Sequence, residues 1–215
     1  MNNNYTHVTY ILDRSGSMLS CWSDVIGGYE NFVKEQKKED GKFTFSLHAF
    51  DTKHEKPVTF DDIKVVSESL SELNISPRGA TALYDAIGQA INDTGARLRQ
   101  MDEKDRPGKV LVVVQTDGWE NSSREFTAAN IKQMIKEQEE KYNWKFMFMG
   151  ANLDAVKDAT VNLGFKVDMA TFYDTKNTDK QYGVLTDKVS CLRSAVDVST
   201  ADLAYTADER KALTE

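Results

Sequence analysis

The run VLVVV at Val110–Val114 constrains the fold more than any other stretch of this 215-residue chain. Side chains of a strand alternate between the two faces of its sheet, so five aliphatic residues in a row require cover on both faces. That is the position of a strand in the middle of a parallel sheet, with helices above and below.

The rest of the chain supplies those helices in alternation with further strands. Tyr5–Leu12 is β-branched and aromatic and reads as a buried strand stopping at Asp13. From Trp22 the apolar positions Val25, Ile26, Tyr29, Phe32 and Val33 recur at helical spacing until a polar tail ends at Gly41. Lys42–Phe50 (KFTFSLHAF) alternates as a half-buried strand does, and Lys56–Phe60 can pair with it as a hairpin through Asp51–Glu55. Ile63–Leu73 is irregular, with a short helix. Pro77 and Gly79 then precede a helix carrying Leu83, Ala86, Ile87, Ala90, Ile91 and Leu98 on one face. After VLVVV come a helix over Thr127–Lys141, a strand over Lys145–Met149, a short helix over Leu153–Asn162 and a last strand over Phe165–Ala170. The pattern predicts an α/β fold: three layers, doubly wound, with a mainly parallel central sheet and helices on both faces.

Residues 1–172 hold this alternation, and residues 173–215 form a helical extension. In the extension Tyr182, Leu185, Val189, Leu192 and Val196 recur at alternating spacings of three and four. Two heptads fall short of a coiled coil, so this helix is expected to pack on the same domain. The spacing decides no oligomeric state.

Charge and composition narrow the partners. With 27 basic against 34 acidic residues the net charge is −7, which opposes attraction to phosphate backbones, so nucleic acid is not expected as a partner. No run of about 18 apolar residues is present, and MNNNYTHVTY lacks a basic region followed by an apolar one. The expectation is a cytoplasmic protein with no membrane association. Cys21 and Cys191 stand far apart without metal-ligand spacing and read as free thiols.

Three polar clusters follow apolar elements: DRSGS after the first strand, PRGAT before the second long helix, and TDGWEN after VLVVV. In a parallel sheet ligands bind beyond the carboxyl ends of the strands, where neighbouring connections leave in opposite directions, so one edge could hold all three. In DRSGS an extended backbone points Asp13, Ser15 and Ser17 the same way. A carboxylate and two hydroxyls are hard oxygen donors, suited to Mg²⁺, Mn²⁺ or Ca²⁺ rather than zinc. The same residues would also serve as a helix cap.

Taken together, Asp13-x-Ser15-x-Ser17, Thr81 in a Gly-containing loop and the Asp117-Gly118 pair resemble the metal-ion-dependent adhesion site of von Willebrand factor type A (vWA) domains. The resemblance covers roughly Tyr5–Ala170, and the motifs come in the family's order. It implies the Rossmann-like vWA fold, with Ser15 and Ser17 as direct ligands, Thr81 as a ligand that binds directly or through water, and Asp13 and Asp117 acting largely through water. It also implies Mg²⁺, or Mn²⁺ or Ca²⁺, as the ion, completed by an Asp or Glu of a protein partner. FMFMGANLDA resembles the small stand-alone vWA proteins of bacteria and their viruses. The threonine loop departs from the pattern, with one glycine rather than two before the threonine. Glu120 and Asn121 could join the shell or solvate the loop, and Arg14 is expected at the surface or facing a partner rather than in a catalytic role.

Two other functions fit the residues. One is a vWA-like scaffold that binds without metal, although all five positions keep oxygen donors. The other is a metal-dependent hydrolase or phosphotransferase. Ser15 stands where an aspartyl-phosphate mechanism wants a second acid, no G-x-S-x-G or phosphate-binding loop is present, and His7, His48 and His54 form no ligand or general-base pattern. No catalytic residue is therefore assigned.

Overall fold

A computed structural model describes residues 1–215. Its centre is a six-stranded sheet of β1 (Asn2–Asp13), β2 (Lys42–Phe50), β3 (His54–Asp62), β4 (Pro107–Thr116), β5 (Lys145–Gly150) and β6 (Ala170–Phe172), in the order β3-β2-β1-β4-β5-β6. All neighbours run parallel except the hairpin β2–β3. Six helices accompany it: α1 (Trp22–Lys38), α2 (Leu83–Arg99), α3 (Ala128–Tyr142), α4 (Leu153–Val161), α5 (Thr178–Ser194) and α6 (Ala207–Thr214).

The sheet separates two cores. On one face Val8, Tyr10, Leu12, Phe43, Phe45, Leu47, Leu111 and Val113 pack against α1, α5 and Leu213 of α6. On the other, Ile11, Val110, Val112, Val114, Phe146 and Phe148 pack against α2, α3 and α4. VLVVV lies in the interior of the sheet, its residues divided between the two cores, as its lack of polar alternation requires.

Several expectations need correction. β2 is buried on both faces rather than one. Its polar side lies inward because α2 covers it, and the hydroxyls and imidazoles there bond one another: His7 to Thr44 (2.9 Å) and Thr9 (3.0 Å), and Thr9 to Thr94 of α2 (2.8 Å). The last strand is Ala170–Phe172, later than the apolar run suggests, because Val167–Met169 winds into a 3₁₀ turn and leaves Val167 in solvent. Val196 lies beyond the end of α5 and is exposed.

The helix α5 is seated on α1 by a close approach and a buried polar cluster. A Cβ built on Gly28 would stand 2.0 Å from the Tyr182 ring, so only glycine fits there. The Tyr182 hydroxyl donates to Gln115 Oε1 (2.9 Å), which also accepts from Tyr10, and Gln115 Nε2 donates to Tyr173 and to Gln181 Oε1 (3.2 Å each). The buried Lys109 ammonium caps the end of α5 through the carbonyls of Arg193 (2.7 Å) and Ala195 (2.9 Å). Arg193 in turn bonds the carbonyls of Gln36, Glu39 and Asp40 at the end of α1.

Candidate metal centre

The strand order changes direction between β1 and β4: α1 leaves β1 on one face and α3 leaves β4 on the other. Such a switch point opens a crevice at the carboxyl ends of those strands. Asp13 closes β1 and Thr116 closes β4, and the register that puts Leu12 beside Gln115 brings these ends together. Asp13 Oδ2 accepts from the Thr116 hydroxyl (2.5 Å) and Oδ1 from the Ser15 amide (2.6 Å). The carboxylate is thereby fixed at the mouth of the crevice, with no exposed surface of its own.

Beyond it the loop turns into a 3₁₀ segment, Gly16–Ser20. Ser15 Oγ and Ser17 Oγ stand 3.1 Å apart, and Ser17 Oγ donates to Asp117 Oδ1 (2.7 Å). Thr81 reaches the same place from the third loop: a Cβ built on Gly118 would lie 3.2 Å from Thr81 Oγ1 and 3.6 Å from Ser17 Oγ. The Ser15 and Asp117 oxygens thus meet at the Ser17 hydroxyl, Thr81 and Ser17 converge on Gly118, and Asp13 joins the group through the Ser15 amide.

The threonine loop is tied down by backbone bonds to both neighbours. Gly16 N donates to Gly79 O (3.1 Å) and Arg78 N to Arg14 O (2.7 Å). Gly79 adopts φ +69°, and a Cβ there would press on Thr52 and Asp51 at 3.1 and 3.3 Å. That one glycine therefore makes the turn that the expected pair of glycines would have made. Asn121 closes the loop from the other side: its Oδ1 accepts from Thr81 N (2.9 Å), and its own amide donates to Thr81 O (3.0 Å). Glu120 is spent on the amides of Ser122, Ser123 and Tyr84. These two residues hold the loops rather than solvate them.

Arg14 is buried, at 1% exposure, and not at the surface. Its Nε and Nη2 lie 3.1 Å from Asp51 Oδ2 and 2.8 Å from Glu55 Oε1, at ion-pair distance though aimed off the line of a hydrogen bond. Arg78 meets the same two acids at 2.8 and 2.5 Å. The quartet joins the DRSGS loop, the β2–β3 turn and the threonine loop. Arg14 holds Glu55 down at about 2. Asp51 also stays below its ordinary range: burial works to raise it, and Arg78, the Lys53 amide and Arg14 outweigh that.

The acids of the oxygen cluster behave oppositely. Burial pushes Asp13 up to about 6, although Thr116 and the Ser15 amide pull it down, and burial likewise raises Asp117. Neither carboxylate is paired with a basic side chain. The guanidiniums of Arg14 and Arg78 are turned instead to Asp51 and Glu55. Thr116 and Arg14 escaped the motif reading. Thr116 is legible from register once β1 and β4 are placed side by side, whereas nothing in the spacing links Arg14 to Asp51.

No family model and no curated protein matches the sequence. Solved structures do. The vWF domain of the type V pili tip protein Mfa5 from Porphyromonas gingivalis is similar at TM-score 0.63 and 10% identity, over 95% of this chain and 98% of that one. Manganese-loaded TRAP protein of Plasmodium vivax is similar at TM-score 0.59 and 14% identity, over 83% and 72%. Proximal thread matrix protein 1 of the mussel byssus has a form with a zinc-occupied MIDAS motif; it matches at TM-score 0.55 and 13% identity, over 85% of this chain and 46% of that one. The chain therefore spans less than half of the mussel protein. The fold is the Rossmann-like α/β fold of vWA domains. No helix is long and apolar enough to cross a membrane.

Proposed function

We propose that the oxygen cluster at the β1–β4 switch point holds a divalent cation and that the protein is a binding module whose metal is completed by an Asp or Glu of a protein partner. The observation that carries this reading is the uncompensated acid pair: Asp13 and Asp117 stand among three hydroxyls at the open end of the sheet, with no cationic side chain facing them. A buried carboxylate without a counter-charge, as Asp13 is, is costly, and a cation beside it and the half-buried Asp117 removes that cost.

The donor set fits the ion. Ser15, Ser17 and Thr81 offer neutral oxygens and Asp13 and Asp117 two charges, with no imidazole or thiolate, which favours Mg²⁺ with Mn²⁺ or Ca²⁺ as substitutes. No group of three or more His, Cys, Asp or Glu side chains assembles anywhere in the structure, and three of the five donors of the proposed shell are hydroxyls. Two carboxylates neutralise a divalent ion without filling its shell, so an acidic side chain from outside is the natural last ligand. The metal-loaded vWA structures similar in fold support the choice of site. The histidines do not serve it: His7 is buried among threonines, and His48 bonds His54 (2.8 Å) beneath α2. We therefore assign a binding rather than a catalytic role. The free thiols Cys21 and Cys191 support a reducing, cytoplasmic setting, and the acidic balance supports a protein rather than a nucleic acid as partner.

Thermal unfolding in Mg²⁺ and in chelator tests the reading. Ion at a hundred times its Kd should stabilise the parent by about 3 kcal/mol, because it binds only the folded state. Asp117→Ala and Ser17→Ala should lose that response. A parent whose melting temperature ignores Mg²⁺, Mn²⁺ and Ca²⁺ would sink it.

A further inference from the structure

The opposite end of the sheet carries an opening of a different kind. A cavity of about 320 Å³ lies between α2 and α3, over the start of β4. Val110 lines it, and Thr116 at the oxygen cluster stands six residues further along the same strand, about 20 Å away. The floor is apolar: Ile91 and Leu98 of α2, Val110 and Trp144 are all buried, and Met134 of α3 packs beside them.

The space exists because α2 has a glycine on this face. Ile91, Gly95 and Arg99 follow at intervals of four and so share one stripe of the helix. At Gly95 no side chain fills the gap. A Cβ built there would meet a single atom within 4 Å, Arg99 Nη1 at 3.4 Å, which places that guanidinium across the open position.

Two guanidiniums border the cavity, those of Arg99 and Arg106. Neither forms an ion pair. Arg106 donates Nε to Met101 O (3.0 Å), which leaves its terminal nitrogens for another acceptor. Glu137 is the one acid of the lining, and Lys141 holds it at 2.8 Å. In a chain of net charge −7, two cations thus stand unengaged above an apolar floor. A guanidinium is weakly hydrated and its fork matches a carboxylate, so this rim suits an acid with an apolar body.

We infer that this cavity binds a small amphiphilic carboxylate, its apolar body lying against Ile91, Leu98, Val110 and Trp144 and its carboxylate on Arg99 and Arg106. The volume is at the lower end of the range for small-molecule pockets, roughly 300–1,000 Å³, which limits the body to a medium-length acyl chain or a fused pair of rings. Burial of that body supplies affinity, and the guanidiniums select an acid over a neutral analogue. The site needs no metal ion and stands whether or not the oxygen cluster holds one.

Calorimetric titration of the whole protein with octanoate, 2-naphthoate and 1-octanol tests the inference. At least one carboxylate should bind saturably with a Kd below about 1 mM, equally in Mg²⁺ and in chelator, and octanol should bind about tenfold more weakly than octanoate. Octanoate bound alone assigns a chain, naphthoate alone a ring, and both a cavity that takes either. Arg99→Gln with Arg106→Gln should weaken the carboxylate about tenfold and leave octanol unchanged. Gly95→Leu fills the cavity and should abolish binding; leucine is the better helix former, so an unchanged or raised melting temperature shows that this variant folds. No saturable carboxylate binding, octanol bound as tightly as octanoate, or full affinity in Gly95→Leu or in the double arginine variant would overturn the site.

Discussion

His7 and Asp13 occupy the two halves of one strand and pull stability in opposite directions as pH changes. Burial pushes His7 down to about 3. Above its unfolded value, near 6.5, it is neutral in both states. As pH falls below 6.5 the unfolded chain takes up a proton that the folded chain refuses, so stability is lost from there down to about 3. Asp13, raised to about 6 by burial, keeps its proton in the folded state down the window to its ordinary value of 3.8, so falling pH restores stability there. Between pH 7 and pH 5 the histidine contribution is a loss of about 2 kcal/mol and the aspartate contribution a gain of about 1 kcal/mol. His48 and His54, also lowered by burial, add to the loss. Urea unfolding in chelator at the two pH values should show the parent losing stability. His7→Gln should lose about 2 kcal/mol less; equal slopes for variant and parent would refute the assignment. None of this was legible from the motifs. His7 lies in an apolar run, and only the sheet order and α2 reveal that Thr9, Thr44 and Thr94 surround it.

At the scale of elements, spacing read correctly wherever one face of an element decides its fate. The apolar positions of α1, α2 and α3 mark those helices, and the run VLVVV marks β4. Spacing failed where a neighbour distant in sequence decides. The polar face of β2 is inside because α2 lies on it, and Val167 is outside because the chain turns before β6. The pair Gly27-Gly28 shows the same limit. Nothing lies within 4 Å of a Cβ on Gly27, whereas one on Gly28 meets Tyr182 at 2.0 Å, and only the return of α5 makes them differ. Gly27→Ala should therefore stabilise by about 1 kcal/mol through helix propensity. Gly28→Ala should destabilise by about 3 kcal/mol, because Tyr182 must leave Gln115 or α5 must lift. Urea midpoints for the two variants would check this, and a neutral Gly28→Ala would show that α5 is not seated as described.

For the whole molecule, the order of the motifs was enough to place DRSGS and TDG on one edge, since the parallel strands β1 and β4 both end there, whereas the threonine loop follows the antiparallel β3 and is brought to that edge by its backbone bonds to Arg14 and Gly16. The ionic quartet behind the site was invisible because Arg14, Asp51, Glu55 and Arg78 share no spacing. We regard residues 173–215 as part of the same folding unit as residues 1–172. Tyr173, Tyr182, Leu185, Val189, Leu192, Leu203, Tyr205 and Leu213 all lie in the core on the α1 face. A chain ending at 172 should accordingly lose its cooperative thermal transition, bind a hydrophobic dye and show no response to Mg²⁺, although all five oxygen-donor residues remain. A cooperative transition in that truncated chain would separate the two parts.

The partnership of β1 with β4 also sets a timetable. Asp13 and Thr116, which meet at 2.5 Å, are 103 residues apart in the chain. At about 5–20 residues per second, a ribosome takes roughly 5–20 seconds to deliver the second after the first. Through that interval β1 can pair with the β2–β3 hairpin on one side only, and its other edge waits with unpaired amides and carbonyls. α5, which closes the first core, arrives later still. The geometry that puts the cluster at the centre of the sheet thus delays it until more than half of the nascent chain has been made, and leaves a long edge in need of protection until then.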